Sequence, residues 1–273
     1  MNYFEYRAFF DESTRRNNLP DQPDLSLTGS LLIPLYYYKS DKFSDYNSKL
    51  RKGECSFHFT NYSRRHEEAY SRLLKTLLGD EGQYIHFLKL NILAFSDNGY
   101  LSNIPAYNRR NSQRLTHMKL PERVLYGALR DVSRFKPTRV NLYIEDSSEY
   151  THLKLNTVLK NRLNEQAIYR NDSFFVRESY LIPKGKQIGV ELTDLLIGII
   201  GLIIQNDSLN NCGEPGKDKQ EFIFEHKDIL EKMIKEVNYY ELHGNTGGLT
   251  RRNLLQFFNE FILRYCSEKR ITI

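Results

Sequence analysis

The chain contains no tryptophan and only three cysteines, Cys55, Cys212 and Cys266. They are far apart, with no CxxC pair and no zinc-ligand spacing, so neither a disulfide framework nor a cysteine zinc site is expected. No P-loop, GxSxG or HExxH motif is present, which argues against nucleotide-cradling, serine-hydrolase and zincin chemistry. The longest apolar run, LLIGIIGLII at 195–204, is too short to span a bilayer. The N-terminus lacks a signal-peptide layout, and internal repeats and low-complexity tracts are missing. These absences lead us to expect a cytoplasmic protein with reduced thiols and no membrane partner.

What is present supports one sizeable domain. The 273 residues are 40% hydrophobic and 27% charged, with 19 tyrosines and 16 phenylalanines. A net charge of +5 and a pI near 8.9 fit an anionic partner such as RNA or DNA without requiring one. Oligomeric state is not encoded legibly, and a homo-oligomer is compatible with the composition.

Strand formers fill residues 3–10 and run into Asp11 and Glu12. A second strand is expected over 26–38, interrupted by Pro34, a helix over 64–78, and a strand over 84–95. A helix opens at Pro121, and 139–144 alternates as a strand that ends in Glu145 and Asp146. Further elements are a helix over 151–164, a strand over 174–181, an apolar helix over 189–205, and helices over 225–237 and 249–268. This order implies an α/β fold, a mixed sheet flanked by helices, occupying 1–205, followed by a C-terminal helical extension, 206–273. Carboxylates at the carboxyl ends of neighbouring strands fall where α/β sheets place their sites.

Three acidic groups carry the functional reading. Asp11-Glu12 and Glu145-Asp146 each end a strand; either pair alone reads as loop acids, but burial of both requires charge compensation that one metal site could supply. Glu191 and Asp194, three apart in GVELTDLLIG, share a face of a helix that is apolar nearly all round. Helix-dipole complementation accounts for Glu191 better than for Asp194. Hard oxygen donors of this kind suit Mg²⁺ or Mn²⁺. Two such ions about 3.5–4 Å apart can activate water and stabilise a leaving oxygen in phosphodiester cleavage. Because side chains alternate along a strand, only one of Asp11 and Glu12 should face the ions, and Asp11 is preferred.

The segments FDES at 10–13, the acid-ending strand at 139–146 and GVELTDLLIG at 189–198 together resemble the DUF3800 family, over about residues 3–204. The resemblance implies a ribonuclease H-like fold and a metal-dependent nuclease centre (a hydrolase). Asp11, Asp146 and Asp194 would match its acidic, catalytic positions, with Glu12 and Glu145 alongside as metal ligands; Glu191, standing where the family usually has Gln, is a further candidate ligand or a local perturbation. Thr14 stands where the family often has Gly, and Val190-Glu191-Leu192-Thr193 replaces Leu-Gln-Leu-Ala. Glu54 is a candidate fourth acid, while His58, His86 and His117 read as surface or structural histidines. Arg15, Arg16, Lys184 and Lys186 are placed to meet a bound phosphodiester, and Tyr100 and Tyr107 to stack on bases.

The alternative is a catalytically inactive nucleic-acid-binding or interaction module on the same fold. A haloacid-dehalogenase-like phosphatase with Asp11 as nucleophile would need a second Asp where Ser13 stands.

Overall fold

The computed structural model describes residues 3–15, 25–96, 115–242 and 248–271. Expectations for the side chain of Arg15 and for Arg16, Tyr100 and Tyr107 fall outside the described positions.

The opening strand β1 (Phe4–Arg15) is covered on both faces, with Ala8, Phe9 and Phe10 fully buried. It therefore lies in the middle of the sheet, as a continuous apolar run predicts. It pairs antiparallel with β2 (Leu25–Pro34), whose last residue is Pro34. A proline N has no hydrogen to donate to a ladder, so the strand stops there. The chain continues through a single turn α1 (Leu35–Tyr38) into α2 (Asp41–Lys52) and the amphipathic α3 (Glu67–Leu78). Strand β3 (Lys89–Ser96) pairs antiparallel with β2; the residues before it, 85–87, form a helical turn and not the start of a strand.

Helix α4 (Leu120–Ser133) crosses to β4 (Thr138–Glu145), which lies parallel to β1. The helical stretch expected over 151–164 is two helices, α5 (Ser148–Leu153) and α6 (Leu155–Arg170), broken at Lys154 with φ 49°. Strand β5 (Phe174–Ile182) is parallel to β4 and leads to α7 (Ile188–Gln205). Then come α8 (Glu214–Glu225), α9 (Lys227–Glu236), β6 (Asn238–Leu242), β7 (Leu249–Arg252) and α10 (Leu254–Lys269). Among the described residues the sheet has seven strands in the order β5-β4-β1-β2-β3-β6-β7. The fold is α/β, a mixed sheet flanked by helices.

The expectation of a purely helical extension over 206–273 is corrected. β6 pairs with β3 and β7 with β6, so this segment lengthens the sheet. Phe222, Leu230, Ile234, Phe258 and Phe261 share one core with α7. The strand NYYEL is only five residues long, too short for its alternation to stand out from neighbouring helical periodicities.

Two apolar layers result. On one face α7 packs on β1 and β2, and on the other α4 and α6 pack on β2, β3, β4 and β5. Helix α7 is long and apolar enough to cross a membrane by length and composition, but 83% of it is buried inside the fold. Its apolar surround is thus that of a core helix. It sits close to β1 because Gly189 has no side chain, and a β-carbon there would overlap the Phe9 ring.

Candidate metal centre

Pairing register decides which acids meet. Phe9 is opposite Tyr143 and Phe10 opposite Ile144 in the parallel β1–β4 ladder. One step on, Asp11 stands beside Glu145, on the face that carries Phe9, Tyr143 and α7. Side chains alternate, so Glu12 and Asp146 leave that face. Glu12 pairs with His117 at 3.4 Å, and Asp146 accepts a 2.7 Å hydrogen bond from the Thr151 hydroxyl at an exposed position. The expectation that Asp146 joins Asp11 is therefore corrected in favour of Glu145, and Glu12 likewise stands apart. Glu54 is also away from the cluster, exposed and 3.8 Å from Lys52.

Helix α7 brings Glu191 and Asp194 to the same place. Glu191 is 1% exposed, with one carboxylate oxygen accepting from the backbone N–H of Gly185 at 3.0 Å and the other from Phe57 at 3.2 Å. Asp194 accepts from the N–H of Phe59 at 2.9 Å. The extended stretch around His58 thus supplies backbone donors to both acids of α7, and its own imidazole follows. His58 Nδ1 lies 3.5 Å from Glu191 and 3.9 Å from Asp194, buried and without a hydrogen-bond partner. No sequence spacing links His58 to Glu191, since 133 residues separate them; only the packing of the 54–59 stretch against α7 does so.

The electrostatics are those of crowded, desolvated acids. Burial holds the Asp11 carboxyl well above its ordinary range, and the neighbouring Glu145 and Asp194 push it further; the Glu12 N–H, 2.8 Å away, opposes them. Burial likewise raises Glu191 to about 7 against its two backbone donors, and raises Asp194. Burial and the Lys184 charge lower His58, which keeps its imidazole neutral near pH 7. Among the described residues the cation paired with this cluster is Lys184, 3.6 Å from Glu145 and more than half exposed. Among the described residues, four acids with one exposed ammonium and one neutral imidazole form an undercompensated centre, which is where functional sites concentrate.

Carboxylate oxygens and an unpartnered imidazole nitrogen are suitable donors for a divalent cation. The spacing is looser than the chemistry: among the described residues no three His, Cys, Asp or Glu side chains are grouped closely enough to hold one ion as they stand. The donors fit a cation, and the arrangement around them is open.

The chain matches no family model, and no curated protein matches it.

Proposed function

We propose that this α/β protein adopts the ribonuclease H-like fold that the DUF3800 resemblance implies and acts as a divalent-metal-dependent nuclease on RNA or DNA. One observation carries the reading: Asp11, buried on central strand β1 just past its parallel pairing with β4, stands beside Glu145 and feels Asp194, with too little positive charge nearby among the described residues to neutralise them. Keeping such acids ionised costs several kcal/mol unless a cation joins them.

Asp11, Glu145 and Asp194 would hold Mg²⁺ or Mn²⁺, with Glu191 beside them. Such a cation supplies Lewis-acid activation of water and charge stabilisation for phosphodiester hydrolysis. The N–H groups of Phe57, Phe59 and Gly185 fix the carboxylates of α7 in place, so little reorganisation is left for the reaction. Lys184, exposed at the rim, is positioned to meet a scissile phosphate. His58 has a neutral nitrogen free to take up a proton.

Cleavage of labelled single-stranded RNA and DNA with Mn²⁺ tests this. Asp11→Asn and Asp194→Asn should each abolish cleavage, and unchanged cleavage in both rejects the assignment. The open spacing of the acids favours a second reading, a nucleic-acid-binding module without turnover. It predicts salt-sensitive binding that Mn²⁺ never converts into cleavage.

A further inference from the structure

On the sheet face opposite Asp11, a cleft of about 590 Å³ opens between α4, the end of α6 and the β3–β6–β7 edge. That volume suits a small organic ligand. Among the described residues its walls carry Lys119, Arg123, Arg130 and Arg170 against a single acid, Glu122. The Glu122 charge is already compensated: Lys119 lies 3.0 Å and Arg162 3.1 Å from one carboxylate oxygen, and the Gln166 amide donates to the other. Arg130 and Arg170 form no ion pair among the described residues, and the Arg170 guanidinium lies 5.5 Å from the centre of the Tyr126 ring.

A second, independent feature lies at the cleft floor. Asn91 of β3 is 1% exposed, and its Oδ1 accepts a 3.0 Å hydrogen bond from Asn238. Its Nδ2, however, is buried with no partner. Buried amide donors are normally satisfied, so an orphan aimed into a cavity marks a place for an acceptor. Gly127 of α4 lies directly over this amide, and a β-carbon there would come within 3.2 Å of Nδ2. Alternation along β3 and β6 turns Asn91 and Tyr240 to this face.

We propose that this cleft is a binding site for a phosphate-bearing small molecule of mononucleotide size. Guanidinium forks match phosphate oxygens in geometry as well as charge. Tyr126 and Tyr240 offer flat surfaces for a ring, and the Asn91 amide donates to an acceptor at the inner end. The site is separate from the carboxylate centre and does not depend on the nuclease reading.

Calorimetric titration of the full chain in EDTA tests it, with AMP, ATP and pyrophosphate as probes and citrate and a short single-stranded oligonucleotide as comparisons. A single saturable site for the phosphate probes is expected. Arg130→Ala and Arg170→Ala should each weaken it by about tenfold or more, and Gly127→Leu should block it in a variant shown to be folded by circular dichroism. Asp11→Asn should bind as the unaltered protein does. Absence of binding by all three probes at millimolar concentration overturns the proposal. So does undiminished binding in the Arg130→Ala and Arg170→Ala variants, citrate binding as tightly as ATP, or binding of the oligonucleotide alone.

Discussion

Asp11 and Glu145 share one face of the sheet just past the last pair of the parallel β1–β4 ladder, where burial and the neighbouring Glu145 hold Asp11 well above the ordinary carboxylate range. Two acids so placed cannot both ionise cheaply without a cation. This relationship orders the predictions below.

The first separates Glu145 from its neighbour in sequence. Glu145→Gln should lower Mn²⁺-dependent cleavage by about 100-fold or more, since losing a ligand costs at least as much as losing the outer partner that orients one. Asp146→Asn should leave the rate within about threefold, because Asp146 is exposed and bonded to Thr151. Equal losses in both variants would disprove the register argument.

The second concerns pH. Glu191 titrates near 7 in the folded protein against 4.5 as its ordinary value. Its folded state binds the proton more tightly, so the associated stability is fully present below about 4.5 and is lost as pH rises through about 7. Urea denaturation in EDTA should show the protein less stable at pH 8 than at pH 5, with Glu191 contributing about 3 kcal/mol at most. Glu191→Gln should flatten that part of the profile. Asp11 and Asp194, also raised, act in the same direction.

The third follows from linkage. A divalent cation that binds the folded acids should restore stability at pH 8, by about 2.7 kcal/mol when present at a hundred times its dissociation constant. Thermal melts with and without Mn²⁺ measure this, and Asp11→Asn should remove most of the shift. A melting temperature insensitive to Mn²⁺ at every pH argues for the inactive module.

The fourth tests the seating of α7. Gly189→Leu forces a side chain into the Phe9 ring and should destabilise by about 3 kcal/mol, the upper end of ordinary overpacking costs. Chemical denaturation gives the value. Loss below about 0.5 kcal/mol would mean that the helix can withdraw from the strand without penalty.

Much of the fold was legible because its signals are local. The apolar run of β1, the alternation of β4 and the nearly uniform apolarity of α7 each arise from residues within a few positions of one another. Pro34 marked the limit of β2 for the same reason. The strands β6 and β7 were hidden because short segments beside helical patterns have no distinct period. The break at Lys154 was hidden because a left-handed residue without glycine leaves no compositional mark.

The sequence by itself determined that acids end β4 and open a buried helix, since charge and hydrophobicity are properties of the residues, whereas β1 runs past Asp11 and Glu12 to Arg15 because β2 pairs with it that far. Tertiary structure decided which of those acids meet. A parallel register fixes the parity of every side chain across the ladder, and one step separates Glu145, which faces Asp11, from Asp146, which faces away. The same packing brought His58 and its flanking N–H groups to Glu191 and Asp194. Desolvation, and with it the raised pKa values, exists only once α7 closes over the strands.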